Sequence, residues 1–193
     1  TFFDNLSISF LVGMPSYKAK AASHFVAITL SDLSLSWILF AKQINDTGID
    51  GVLIVDSPPE ESVILNKYLT KYKKSHIYLA SPTTTDQRMK NISKMSSGYV
   101  YYVTIKGITG SQLSNVSSIR KNVNKIKKYS NDNLPVAVGF GIKDSSSAQK
   151  MAAFSDGIII GSSIVELIHK YSNNEKKMNS KLSTYISSIS NVI

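Results

Sequence analysis

Two stretches decide the fold of this chain: PVAVGFGIKD (residues 135–144) and SDGIIIGSSIVELI (residues 155–168). In each, a run of four or five apolar residues, many of them β-branched, predicts a buried strand that ends at glycine and leads into a helix. Glycine at such a strand end lets a ligand approach the backbone closely. The pair therefore predicts two strand ends that lie side by side and face a ligand.

The second stretch also predicts an anion site. Ser163 and Glu166 have the spacing of a capping box, which marks the beginning of a helix. The first N–H groups of a helix are unpaired and carry partial positive charge, so they favour a phosphate. In barrels of alternating strands and helices, the phosphate site often follows the last two strands. We therefore expect one phosphate dianion between the two glycine-bearing ends.

Seven apolar runs predict buried strands, and helical periodicity separates most of them. The runs are Ile8–Val12, Phe25–Leu30, Gly51–Val55, Ile77–Ala80, Tyr99–Thr104, Val136–Val138 and Gly157–Ile160. Repeated βα units of this kind predict an α/β fold with a parallel sheet. Thr84 or Thr85 is expected to cap the helix that holds Met89, and Gly48 is expected to end the helix that holds Phe40.

The composition predicts one folded domain. The chain has 193 residues, of which 42% are hydrophobic, enough for one sizeable core. It contains no cysteine, which excludes disulfides and thiol chemistry. No apolar run approaches the roughly 20 residues that span a bilayer, and the first residues lack a leader pattern. We expect a cytoplasmic protein with no membrane partner.

The net charge of +9 raises the possibility of a nucleic-acid partner, but the lysines argue against it. They fall on the polar faces of predicted helices, and no RNA-binding aromatic motif accompanies them. The three histidines, His24, His76 and His169, lack metal-ligand spacing. We expect neither a nucleic-acid partner nor a metal site.

Two loops offer polar or flexible groups on the ligand side of the predicted sheet. Asp56 ends the strand Gly51–Val55, where a carboxylate could serve catalysis, contact a partner or cap a helix. Gly107–Gly110 is a glycine-punctuated loop that could close over a substrate or form a surface turn. Glycine spacing does not separate these two roles.

Five motifs in order resemble the α subunit of tryptophan synthase. They are GIDGVLIVDSPPEES, YLASPTTTDQRM, SGYVYYVTIKGITG, PVAVGFGIKD and SDGIIIGSSIV. The resemblance covers about residues 36–168, with an atypical part at 1–35 and a C-terminal helical segment at 169–193. It implies a (β/α)8 TIM barrel over 1–193. It also implies a lyase that cleaves indole-3-glycerol phosphate into indole and glyceraldehyde 3-phosphate in tryptophan biosynthesis.

The resemblance assigns roles to individual residues. The implied phosphate contacts are Gly110, Gly141, Gly161 and Ser162, and the implied indole pocket contains Tyr101, Phe140 and Ile159. Thr109 resembles the loop threonine that orders a catalytic aspartate, and Asp56 with Pro58 resembles the edge that meets the β subunit. The implied assembly is α2β2, with pyridoxal phosphate in the β subunit only and no cofactor in this chain.

The N-terminal part departs from the family pattern. The family's catalytic glutamate lies on the second strand and an aspartate lies in the following loop, but this chain has no glutamate before Glu60. If Ile8–Ser16 is the remnant of that strand, Leu11 occupies the glutamate position and seven of eight strands remain. A truncated or degenerate chain and a piece of a longer protein both fit this pattern. The alternatives to a lyase are a binding or regulatory partner of the β subunit and an unrelated phosphate-binding barrel.

Overall fold

A computed structural model describes the chain over residues 37–55, 57–104, 112–139 and 141–193, with the backbone alone at 6–7, 10–12, 25–28 and 112–115. The strands are β1 (Leu6–Ser7), β2 (Phe10–Val12), β3 (Phe25–Ile28), β4 (Gly51–Ile54), β5 (Ser75–Ala80), β6 (Val100–Val103), β7 (Val136–Gly139) and β8 (Gly157–Ile160). The helices are α1 (Trp37–Asp46), α2 (Val63–Lys71), α3 (Asp86–Met95), α4 (Gln112–Tyr129), α5 (Ser145–Ala152), α6 (Ser162–Tyr171) and α7 (Glu175–Ser190).

The strands form one sheet in the order β1-β3-β4-β5-β6-β7-β8-β2. From β3 to β8 all neighbouring strands are parallel, and a helix follows each of them. This confirms the predicted α/β fold of repeated βα units, in which the carboxyl ends of the parallel strands meet at one edge.

The N-terminal segment differs from the prediction. As a remnant of the second barrel strand, Ile8–Ser16 would be parallel to its neighbours, but β2, which lies within it, pairs antiparallel with β8. The preceding β1 pairs antiparallel with β3. Antiparallel pairing tolerates short connections, whereas a parallel strand needs a crossover of a dozen or more residues. The segment therefore bridges the two edges of the parallel sheet.

The core has an inner and an outer layer, because side chains alternate along each strand. Leu53, Ile77, Tyr99, Ala137 and Ile159 form the inner cluster within the curved sheet. Val52 and Ile54 instead face outward and pack with helices α1 and α2. A second outer cluster packs β5, β6 and β7 against α3 and α4, with residues such as Tyr102, Val123 and Ile126 fully buried.

Two predicted helix boundaries are confirmed. Thr85 caps α3, because its side chain accepts a hydrogen bond from the Arg88 N–H. Gly48 follows α1 with φ +75°, the left-handed conformation that favours glycine at a helix end. None of the helices in the described ranges combines the length and the apolar content needed to cross a bilayer.

Candidate active site

Helix α6 begins directly after β8 with Gly161 at its N-cap. The Gly161 carbonyl accepts from the Ile164 and Val165 N–H groups at 3.0 and 3.1 Å, which closes the first turn. The predicted capping box at Ser163 and Glu166 is wrong, because the N-cap is Gly161, two residues before Ser163, and glycine has no side chain to cap the helix. The N–H groups of Ser162 and Ser163 precede the first intrahelical bonds, so they are free to bind an anion.

Gly141 contributes a second glycine-bearing turn just beyond β7. Its φ is +80°, and a Cβ built there would meet no atom within 4 Å. The glycine is therefore required by the backbone conformation and not by crowding, since a residue with a side chain is strained at such φ. The turn exposes backbone beside the start of α6.

A cavity of about 280 Å³ joins these two strand ends. It is lined by Tyr101, Gly141, Ile142, Lys143, Ile159, Ile160, Gly161, Ser162, Ser163 and Glu166. The structure thus brings together five of the residues implied by the resemblance. It adds an exposed lysine, Lys143, and the carboxylate of Glu166, neither of which the motif analysis identified as a site residue.

The side chain of Tyr101 packs across β7, where only a glycine at position 139 leaves room for it. A Cβ on Gly139 would lie 2.7 Å from the Tyr101 Cε2 and Oη atoms and 2.9 Å from the Ile159 Cβ. The aromatic ring therefore packs directly on the backbone of β7, beside the cavity. Burial raises the pKa of the Tyr101 phenol above its ordinary value, so the group is neutral at physiological pH.

The apolar end of the site is the inner cluster of the barrel. Leu79 and Tyr101 pack against its buried members, which include Leu53 and Ile159. Burial also raises the pKa of Tyr99, so this wall carries no charge at neutral pH. Leu53 and Leu79 were not identified from the sequence, although their alternating positions in β4 and β5 are the signal that places them on the inner face. A flat apolar group fits such a wall.

Several predicted residues do not join this cluster. Asp56, Thr109, Gly110 and Phe140 lie outside the described residues. Pro58 lies in the loop between β4 and α2 and lines a different cavity.

Leu11 pairs through its backbone with Ile159 in antiparallel register. Its assignment to the glutamate position of a parallel second strand therefore loses its basis. Among the residues that the structure describes, no group of three or more histidine, cysteine, aspartate or glutamate residues could hold a metal ion.

Comparisons with known proteins point to one family. A family model described as tryptophan synthase alpha chain matches residues 31–193. A tryptophan synthase alpha chain from Vesicomyosocius okutanii is 37% identical over 154 residues, which cover 80% of this chain and 57% of the relative. The chain spans about half the length of the curated relatives it matches.

Solved structures share the fold. The tryptophan synthase alpha chain from Legionella pneumophila matches with a TM-score of 0.73 and 30% identity, over 88% of this chain and 62% of that chain. A chain from the tryptophan synthase α2β2 complex of Pyrococcus furiosus matches with a TM-score of 0.74 and 21% identity, over 88% of this chain and 68% of that one. The second likeness concerns the fold alone.

Proposed function

The chain belongs to the tryptophan synthase alpha chain family, and we propose on this premise that it acts on indole-3-glycerol phosphate, releasing indole and glyceraldehyde 3-phosphate in tryptophan biosynthesis. The observation that carries the proposal is the single cavity between the uncapped start of α6 and the apolar inner wall of the barrel. A substrate with a phosphate at one end and an indole ring at the other matches both ends of that cavity.

The phosphate would bind to the N–H groups at the start of α6, with the Ser162 hydroxyl as a further donor. The glycine turn at Gly141 lets the phosphate approach the backbone from the β7 side. Lys143, which lines the same cavity, adds a positive charge that complements the dianion. Glu166 also lines it, so this carboxylate reduces the net positive charge.

The indole ring would lie toward Ile159 and Tyr101, against the wall that includes Leu53. Cleavage leaves the bonding electron pair at the indole C3 atom, which takes up a proton, while the adjacent glycerol hydroxyl loses its proton as the aldehyde forms. Both transfers need acid and base groups within hydrogen-bond reach. The described residues supply binding and orientation, and the family resemblance assigns proton transfer to the second strand and the loop after it.

The partner we propose is a tryptophan synthase β subunit in an α2β2 assembly. The family to which the chain belongs supports this, as does the Asp56–Pro58 edge that the resemblance assigns to the interface. On this proposal the chain needs no cofactor of its own, pyridoxal phosphate belongs to the β subunit, and the assembly is cytoplasmic. Isothermal titration with a β subunit tests the interaction, and the absence of any heat or co-elution would contradict it.

An indole-release assay on protein from the complete reading frame tests the activity. We expect indole from indole-3-glycerol phosphate, faster when the β subunit is present, and loss of activity in Ser162→Asp, which places a carboxylate where the phosphate binds. Substrate binding without indole release would instead favour the binding or regulatory role. If the protein neither binds the substrate nor releases indole, the proposal is refuted.

A further inference from the structure

Helix α7 contacts the turn that follows β7. This turn, residues 141–144, contains Gly141 with its positive φ, and Gly141, Ile142 and Lys143 all line the phosphate cavity. The rest of the lining comes from β6, β8 and the first turns of α6. Helix α7 therefore acts on the site only through the groups that it contacts.

A hydrogen bond joins α7 to the backbone of the turn. The Tyr185 hydroxyl donates to the Lys143 carbonyl at 3.1 Å. On the other side, the Lys143 N–H donates to Ser147 Oγ, in the first turn of α5, at 3.3 Å. Side chains from two different helices thus bind both backbone polar groups of Lys143, which fixes the peptide units on either side of it.

A second hydrogen bond joins α7 to the beginning of α5. Ser145 Oγ donates to the Ser188 carbonyl at 2.9 Å. Ser145 is the first residue of α5, and the preceding residue, Asp144, is its N-cap and accepts from the Ser147 N–H at 2.8 Å. The end of the turn is therefore attached to a helix start that α7 also holds.

Ile142 anchors the turn by apolar contact. It is buried in a cluster that includes Ile160, Ile164 and Ile189. Ile189 is a fully buried residue of α7, and Tyr185, one turn before it, packs against the same cluster. Helix α7 thus supplies an apolar contact for the Ile142 side chain and a hydrogen bond for the next carbonyl.

The turn depends on such contacts because of its glycine. Glycine adopts positive and negative φ about equally readily, so Gly141 permits the observed turn without selecting it. The apparent affinity of a ligand falls with the fraction of the protein that has the competent conformation. A residue that holds the turn can therefore strengthen phosphate binding without touching the phosphate.

We propose that Tyr185 is a positioning residue for the phosphate site, acting through the Lys143 carbonyl. Helix α7 holds the turn in the conformation in which Gly141 and Lys143 line the cavity, and the Ser145 hydrogen bond supports the same arrangement. The inference rests on the proposed phosphate site and adds a residue that lies outside the cavity.

Glycerol 3-phosphate is the probe, titrated into the full chain and followed at the Ser162 amide. Tyr185→Phe removes the hydroxyl and keeps the ring, and it is expected to raise the Kd about two- to fivefold, the reach of one exposed hydrogen bond. Ser145→Ala is expected to raise it by less than about threefold. The double variant is expected to raise it about four- to tenfold, since both contacts support one turn.

Thr184→Ala is the matched control on the same helix. The Thr184 hydroxyl donates to the Ser180 carbonyl at 2.9 Å, within α7, so its removal leaves the turn untouched and the Kd unchanged.

Two further readouts separate positioning from a general loss of stability. In Tyr185→Phe, amide hydrogen exchange is expected to become faster at residues 142–144 and to stay the same in β8. Indole binding, at the apolar end of the cavity, is expected to change by less than about 1.5-fold.

An unchanged Kd in both Tyr185→Phe and the double variant would overturn the inference and leave the phosphate site intact. Equal weakening of indole and glycerol 3-phosphate would overturn it as well, because the hydroxyl would then support the whole fold and not the turn. If the unaltered chain binds no glycerol 3-phosphate, the proposed function fails and the inference fails with it.

Discussion

The contact between Gly139 and Tyr101 predicts the effect of adding a single methyl group. In Gly139→Ala the new Cβ would lie 2.7 Å from the Tyr101 ring and hydroxyl and 2.9 Å from the Ile159 Cβ. These separations are shorter than real Cβ contacts, so Tyr101 has to leave its place on β7. Because Tyr101 also lines the phosphate-bearing cavity, the change alters packing and the site together.

The expected loss of stability follows from two opposing effects. Inserting a methyl group into a packed interior costs about 1–3 kcal/mol. Alanine restricts the unfolded chain more than glycine, which offsets about 0.4–1 kcal/mol. We therefore expect Gly139→Ala to lower the free energy of unfolding by about 1–2 kcal/mol and to weaken indole binding, while glycerol 3-phosphate binding changes by less than about twofold.

Urea unfolding measures the cost of Gly139→Ala in the original chain and in a Tyr101→Leu variant. In a Tyr101→Leu background the ring is gone and only the Ile159 contact remains, so the same substitution is expected to cost at least about 0.5 kcal/mol less. Gly48→Ala is the matched control, because Gly48 has φ +75° and no atom within 4 Å of the added Cβ. Its cost comes from backbone strain alone and is independent of Tyr101.

Equal costs of Gly139→Ala with Tyr101 present and absent would refute this reasoning. A neutral Gly139→Ala would refute it as well, because the close approach would then not exist in solution. A parallel loss of indole and glycerol 3-phosphate binding would show that the substitution disrupts the whole site and not the aromatic end.

Three further predictions follow from buried or charged groups. Burial lowers the pKa of His76 to about 4 from its ordinary 6.5. Between these values the unfolded state binds more protons, so the free energy of unfolding falls by about 3 kcal/mol in total as the pH is lowered from 6.5 to 4. A His76→Leu variant whose free energy of unfolding, measured with urea, shows the same pH dependence would contradict this. Ser162→Asp places a carboxylate in the first turn of α6, which is expected to leave stability unchanged or raise it by about 0.3–1 kcal/mol. The same carboxylate is expected to abolish phosphate binding. Thermal unfolding measures the first effect and a phosphate titration the second, and retained phosphate binding would count against the site. Asp156 accepts from the Val136 N–H and from Lys127 Nζ, both at 2.8 Å, so Asp156→Asn is expected to cost about 1–2 kcal/mol; a cost below about 0.3 kcal/mol in urea unfolding would show that this ion pair contributes nothing.

The sequence predicts the parallel part of the fold well, because its signals are local and repeated. The five apolar runs between Gly51 and Ile160 each overlap one of the strands β4 to β8, and a helix follows each strand. Thr85 and Gly48 mark helix boundaries through local interactions: a side-chain hydrogen bond at Thr85 and a left-handed backbone conformation at Gly48. Neither depends on contacts with distant parts of the chain.

What the sequence does not reveal depends on pairing between distant segments. The direction of β2 is set by its partner β8, about 150 residues later, so an apolar run alone does not determine it. The sequence also misplaces the start of α6, because Ser163 and Glu166 have the spacing of a capping box although the N-cap is Gly161.

On our proposal, exposed amides at the start of α6 and at Gly141 hold a phosphate dianion. Titration of the ¹⁵N-labelled chain with glycerol 3-phosphate tests it directly. We expect saturable shifts at the amides of Gly141, Gly161, Ser162 and Ser163, and none of them in Ser162→Asp. Saturation without shifts at these four amides, or no saturation at all, would contradict it.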